Sequence, residues 1–223
     1  MSVTTLLFDL DGTLLETAPG IVGCYRHTFL HLGVEIPETL DLHEFIGPPM
    51  KDNFRRLLDE AQTEAAVEIY RQCYEQKGQW QASVYAGIDQ AVQTLSTTYR
   101  LMVATSKRSA FAQQMMGHFG LAPYFSAIYG VEAENLSESK AALIGRILQE
   151  HGLTPAEVVM IGDRAFDILG AKAHQMRSVG VLWGYGSPGE LQTHGADLLC
   201  EHPLHLPQCV ASLGGPTPAH SGF

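Results

Sequence analysis

Apolar residues along this chain follow two patterns: short unbroken runs, and runs spaced three and four residues apart. Val3 to Phe8 is an unbroken β-prone run, the pattern of a strand buried on both faces in the middle of a parallel sheet. From Ala18 to about Gly78 the pattern turns helical. Ile21, Cys24, Tyr25, Thr28, Phe29 and Leu32 keep helical spacing, with Pro19 suited to an early turn and Gly33 to a stop. Further helices are predicted over Leu40–Ile46, Met50–Leu58 and about Glu64–Lys77, the first broken by Gly47-Pro48-Pro49. No strand is predicted in this stretch. So much helix between two strands exceeds a simple crossover, so a separate helical subdomain is predicted.

Beyond Tyr85 strands and helices alternate. Gly87–Thr97 is amphipathic, and Arg100–Ala104 reads as a buried strand ending in Thr105-Ser106-Lys107. Helix is predicted over Ser109–Phe119, a short strand over Ala127–Gly130, and helix over Lys140–His151. Thr154-Pro155-Ala156-Glu157 carries a cap, a first-turn proline and a glutamate at capping-box spacing. Val158–Ile161 is a third buried strand, ending in Gly162-Asp163-Arg164. A helix over about Phe166–Gln175, a strand over Ser178–Leu182, a turn-rich stretch Gly184–Gly189 and an edge strand over Ala196–Leu199 follow. This alternation predicts an α/β fold with a doubly wound, Rossmann-like parallel sheet and an inserted all-helical subdomain. The expected boundaries are 1–15 and 85–212 for the core, 16–84 for the insert, and 213–223 as a Gly/Pro-rich disordered tail.

Composition narrows the partners. The 223 residues are 45% hydrophobic and 17% charged, an ordinary globular balance. Lys plus Arg number 14 against 24 Asp plus Glu, a formal charge of −10, which disfavours nucleic-acid backbones and anionic membrane surfaces. The four scattered cysteines lack metal-type spacing and suit buried thiols in a reducing cytosol. With no leader-like N-terminus and no apolar run near the ~18 residues of a membrane span, a cytoplasmic protein is expected. Oligomeric state is open between monomer and small homo-oligomer.

The chemistry lies at the strand ends. Asp9 and Asp11 leave the first strand with one residue between them, and strands of a parallel sheet present their C-terminal ends to the ligand crevice. Asp11-Gly12 alone reads as a turn, but a turn does not account for Asp9 at the end of an apolar strand. Two crowded carboxylates call for a cation. In a parallel sheet Asp9, Asp11, Thr105-Ser106-Lys107 and Gly162-Asp163 meet at one edge. That set of oxygens, hydroxyls and a lysine suits Mg²⁺ and a phosphoryl group. Asp167, four residues after Asp163, falls on the same helical face. Lys140, among polar neighbours, reads on its own as a solvated lysine, and Arg164 as a surface ion-pair partner. Ser106 and Lys107 read equally as a helix cap with a solvated charge or as part of a site. Trp183 and Tyr185 are expected to pack the last loop.

Taken together, Asp9-Leu10-Asp11-Gly12-Thr13, Thr105, Lys140 and Gly162-Asp163 through Asp167 resemble the haloacid dehalogenase superfamily of phosphohydrolases, in order and spacing, from residue 3 to about 200. The stretch Asp9–Pro19 and Ile46-Gly47-Pro48-Pro49 look like its phosphoglycolate phosphatase group. Thr105-Ser106-Lys107 and Gly180–Ser187 look like its 5′-nucleotidase-like branch. Glu16-Thr17 departs from the Asp-Ser common before Ala-Pro in that group, which bears on substrate selection. The resemblance implies Asp9 as nucleophile, forming an aspartyl-phosphate, and Asp11 as general acid and then base. It implies Mg²⁺ on Asp9, the Asp11 carbonyl and Asp163, with Asp167 behind them. Thr105, the Ser106 amide and Lys140 would hold phosphoryl oxygens, and the helical insert would be a cap whose Glu16, Gly47 and Lys51 touch the substrate. The implied activity is a Mg²⁺-dependent phosphatase for a small phosphorylated metabolite, phosphoglycolate-like or a 5′-nucleotide. A phosphosugar mutase of the same fold and, less readily, a non-catalytic phosphate-binding protein are the alternatives.

Overall fold

A computed structural model describes residues 2–132 and 138–214. The chain divides into two compact units, one of residues 1–15 and 84–223 and one of Glu16–Ser83. In chain order the elements are β1 (Thr5–Phe8), β2 (Leu15–Glu16), α1 (Ala18–His31), α2 (Met50–Arg55), α3 (Glu60–Gln76), β3 (Ser83–Val84) and α4 (Ile88–Ser96). Then come β4 (Arg100–Arg108), α5 (Ser109–His118), β5 (Ala127–Val131), α6 (Lys140–His151), β6 (Val158–Gly162), α7 (Ala165–Ala173), β7 (Arg177–Val181), α8 (Pro188–His194), β8 (Leu198–Cys200) and α9 (Leu206–Ser212).

The larger unit is built on a six-stranded sheet in the order β5-β4-β1-β6-β7-β8, with every pair parallel. β1 lies in register with Arg100–Val103 on one side and Val158–Ile161 on the other. After stepping outward to β5 the chain returns to the far side of β1, so the order reverses there, and ligands of open parallel sheets bind at such a point. Alternation along the strands sends Leu7, Met102, Val158 and Met160 to one face, where Leu143, Ile144 and Ile147 of α6 cover them. Each such burial is worth about 1.5–3 kcal/mol. Phe8 points to the other face, its ring 5.6 Å from that of Phe125. The doubly wound α/β prediction therefore holds.

The smaller unit packs α1, α2 and α3 around an aromatic cluster of Tyr25, Phe29, Phe45, Phe54 and Tyr70. Asp59 and Gln62 cap α3 reciprocally, so the helix begins four residues before the predicted Glu64. The stretch predicted helical over Leu40–Ile46 is a single 3-10 turn at Leu42–Phe45, because Gly47-Pro48-Pro49 stops it from continuing. Where the chain leaves and re-enters the larger unit, β2 and β3 pair as a two-stranded ribbon that the sequence pattern did not reveal.

Three other elements differ from expectation. β4 does not stop at Ala104 but continues through polar residues to Arg108, with a register shift against β5. α8 occupies part of the stretch read as turns. Ser187 accepts a hydrogen bond from Glu190 N (3.1 Å), Pro188 opens the helix and Gly195 closes it at φ +85°. α9, which begins beside Pro207, was not predicted. Of the tail expected to be disordered, Leu213 and Gly214 continue from α9 as a turn, and residues 215–223 lie outside the described residues, as does Ser137.

Candidate active site

β1 delivers Asp9 to the C-terminal edge of the sheet, where its amide donates to Ile161 O (2.9 Å). The chain then wraps tightly around Leu10, whose carbonyl accepts from Leu14 N and Leu15 N at 3.0 Å each. Gly12 sits in this turn at φ +80°, and a Cβ there would lie 2.2 Å from Asp163 Oδ2, so both backbone and space require glycine. On the far side, Trp183 Nε1 donates to Thr13 O (2.9 Å). Trp183 thus ties the last loop to the first, in line with its expected packing role.

β6 delivers Asp163, which is fully buried. Its Oδ1 accepts from Thr13 Oγ1 (3.3 Å) and its Oδ2 from Tyr185 N (2.7 Å). Both donors are neutral. Burial, with Asp167 and Asp9 nearby, pushes the Asp163 carboxyl well above the ordinary carboxylate range. Asp167 lies in the first turn of α7, accepting from Arg164 N (3.1 Å) as a cap. A Cβ on Gly162 would fall 2.2 Å from its Cγ, so glycine at the end of β6 makes room for it. Burial raises Asp167 from 3.8 to about 6, against the opposing pull of Lys140.

Lys140 is the first residue of α6, after Ser139, whose hydroxyl caps the helix at Ala142 N (3.1 Å). Its side chain is 5% exposed. That placement corrects the solvated-lysine reading of Lys140 taken alone, because α6 packs on the sheet with its N-terminus at the site. Nζ lies 2.8 Å from Asp9 Oδ1, 2.8 Å from Ala104 O and 2.9 Å from Asp167 Oδ1. Burial disfavours the ammonium, yet the Asp167 and Asp9 carboxylates outweigh it and hold the lysine above its ordinary value. Asp9 is the most open member of this group, its side chain 12% exposed against 1% for Asp167.

One carboxylate oxygen from each of Asp9, Asp163 and Asp167 falls within 4.8 Å of the others. This arrangement fits a hard divalent cation: the donors are oxygens, and Asp163 meets only neutral hydrogen-bond donors. Asp167 stands beside Asp9 and Asp163 with its two oxygens on Lys140 Nζ and Arg164 N. The Asp11 carboxylate is not part of that cluster and accepts from Lys107 Nζ at 2.8 and 3.0 Å. Asp9, Asp11, Asp163 and Asp167 thus stand against two lysines, and a divalent ion would balance the count.

At the end of β4, Thr105 is buried and its Oγ1 accepts from Lys107 N (3.2 Å), while Ser106 is exposed. Arg164 pairs with Glu190 (Nε to Oε1, 3.0 Å), and the same oxygen accepts from Ala165 N (2.8 Å) at the start of α7. In the smaller unit, Glu16 lines a hollow of about 300 Å³ with Pro19, Val22, Arg26 and His43. Gly47 adopts φ +106°, and Asn53, buried behind that loop, donates to Phe45 O (2.8 Å) and Tyr25 Oη (2.9 Å). Lys51 is ion-paired with Glu64 on α3 at the surface. Sequence reasoning passed over Asn53 and Glu190, and gave Thr13 no role beyond its place in the first motif. Only Glu190 carried a local signal, as the third residue after a Ser-Pro cap.

Comparison with known proteins adds four findings. Residues 6–181 match the family model described as haloacid dehalogenase-like hydrolase. The chain is 36% identical over 210 residues to a 5′-nucleotidase of Pseudomonas aeruginosa, covering 93% of this chain and 95% of that protein. It is 37% identical over 182 residues to the tyrosine-protein kinase PtkA of Mycobacterium tuberculosis, covering 81% of this chain but 62% of that protein. Among solved structures, a haloacid dehalogenase-like family hydrolase of Streptococcus pneumoniae superposes with a TM-score of 0.87 at 34% identity, over 92% of this chain and 96% of that one.

Proposed function

The chain belongs to the haloacid dehalogenase-like hydrolase family and is an enzyme of its phosphatase class, and we propose that it hydrolyses a small phosphomonoester through a phosphoryl group carried on Asp9. The observation that carries this reading is the convergence of Asp9, Asp163, Asp167 and Lys140 at the C-terminal edges of β1 and β6, with Lys140 also reaching the Ala104 carbonyl of β4. Asp9 is the acidic member of the buried cluster with the most open surface, as a nucleophile must be. Its attack forms the Asp9–phosphorus bond and breaks the bond to the leaving oxygen. Asp11 gives that oxygen a proton. Water then attacks phosphorus, the bond to Asp9 breaks and Asp11 takes the water's proton.

Lys140 is fixed by Asp9 and Asp167 where it would meet a phosphoryl oxygen, and the Thr105 hydroxyl would hold another. Mg²⁺ held by Asp9 and Asp163, with the Asp11 carbonyl and with Asp167 close by, would neutralise charge between carboxylates and phosphate. The substrate we favour is a small metabolite, a 5′-nucleotide or a phosphoglycolate-like acid, with Glu16, Gly47 and Lys51 as the residues of the helical unit that select it. The similarity to a 5′-nucleotidase over nearly the whole length supports the nucleotide. The acidic net charge supports a small partner over a nucleic acid. Among the described residues no helix is long and apolar enough to cross a membrane, and four free cysteines are compatible with a reducing cytosol.

The test is turnover of 5′-nucleotides, 2-phosphoglycolate, sugar phosphates and a chromogenic phosphoester with and without Mg²⁺. Hydrolysis that ceases on chelation, and in Asp9→Asn, is expected. Hydrolysis that survives either change contradicts the mechanism, and phosphate returned to another hydroxyl of the substrate would make the enzyme a mutase.

A further inference from the structure

We propose that Lys107 is the positioning residue for Asp11, an inference that rests on the proton-carrying role given to Asp11 above. Nζ lies 2.8 Å from one oxygen of Asp11 and 3.0 Å from the other, and the two side chains are 7% and 18% exposed. An ammonium that meets both oxygens sets the plane of the carboxylate as well as its place. It can also keep one oxygen while the other carries the proton.

Two features aim Lys107 itself. Its amide is held by Thr105 Oγ1 (3.2 Å), and it lies inside the register shift of β4 against β5, between Ala104 and Arg108. Such irregularities redirect side chains at the ends of strands. The contact joins residues 96 apart in sequence, so the sheet and not the local chain brings them together. Lys140 is committed to Asp9 and Asp167 on the other side, so the site divides its two lysines: one fixes the nucleophile and one fixes the proton carrier.

The consequence concerns the leaving group. A p-nitrophenolate departs without help, whereas an alkoxide needs the proton from Asp11. The experiment measures kcat/KM, which reports formation of the phospho-enzyme, for p-nitrophenyl phosphate and ethyl phosphate at saturating Mg²⁺. Lys107→Met is expected to lose about a hundredfold on ethyl phosphate and less than about tenfold on the nitrophenyl ester. Asp11→Asn shows the same skew more strongly, and Lys107→Arg, able to meet both oxygens, restores most of the ethyl phosphate rate. Equal losses on the two esters, no loss, or an arginine variant no better than methionine would overturn the proposal. If the methionine variant does not fold, the arginine variant decides: a ratio of the two rates within about threefold of the parent's is expected, and a strong skew refutes it. A parent enzyme that turns over neither ester fails the functional reading itself, which separates that failure from this one.

Discussion

Asp9 and Asp11 are two residues apart, each faces a lysine, and they are held in opposite ways. Asp9 joins a buried group in which Lys140 is shared by two carboxylates and a backbone carbonyl, and in which Asp163 and Asp167 are almost wholly removed from water. Asp11 has one cationic partner, Lys107, and keeps 18% of its side chain exposed. Burial makes the first group rigid and electrostatically strained, since charges that lose water must find partners. The second is a simpler pair of one ammonium and one carboxylate. The two pairs differ chiefly in their company: Lys140 is shared among three acceptors, whereas Lys107 meets both oxygens of one carboxylate.

Removing the centre of the buried group should have the largest effect. Lys140→Met leaves Asp9 and Asp167 facing each other without their cation, and should lower metal-free stability by about 3–5 kcal/mol. Urea unfolding with and without Mg²⁺ measures this, and part of the loss should return with the ion. Gly12→Ala should cost about 2–3 kcal/mol, because φ +80° and a contact at 2.2 Å to Asp163 both oppose a side chain. A cost below about 0.5 kcal/mol would mean the turn relaxes freely. Asp163→Asn removes one buried carboxylate and keeps its acceptor for Thr13 or Tyr185, so it should raise metal-free stability by about 1 kcal/mol while abolishing the response to Mg²⁺. A variant less stable than its parent without metal would argue against that crowding.

pH separates the two groupings further. Asp167 rises from 3.8 to about 6 on folding, so between those values the folded chain holds a proton that the unfolded chain has released. Its contribution favours the fold at low pH and is withdrawn as pH rises through about 6. The rise in melting temperature caused by Mg²⁺ should therefore be larger at about pH 8 than at about pH 5. An equal rise at both would place the ion away from this cluster. At the second pair, Lys107→Met leaves the Asp11 carboxylate without its ammonium and should cost less than Lys140→Met, about 1–3 kcal/mol by urea unfolding, because Asp11 keeps 18% of its side chain exposed. Its effect on alkyl phosphates is the larger one.

Much of this arrangement was legible in the sequence, for specific reasons. β1, β4 and β6 are unbroken apolar runs, and their polar ends declared the edge where the site forms. The boundaries of α6 follow from Ser139 before it and Gly152, at φ +59°, after it. The extension of β4 through Thr105–Arg108 was hidden because those residues are polar, and extended polar chain has no apolar signature. α8 and α9 are seven residues each, too short for a helical period to show, and α8 opens inside a stretch that read as turns. Lys140 was legible through family resemblance only, since a lysine among serines and a glutamate has no local mark of burial. The pairing of Lys107 with Asp11 was not legible at all. It depends on the register of β4 beside β1, which periodicity does not specify.

The central claim is that Asp9 carries the phosphoryl group, and trapping it is the most direct test. The enzyme is mixed with Mg²⁺ and a turned-over phosphoester, quenched in acid within the first turnover and digested for peptide mass spectrometry. The account predicts one phosphoryl group on the peptide bearing Asp9, and none in Asp9→Asn. A phosphoryl group on any other residue, or full turnover by Asp9→Asn, would contradict it.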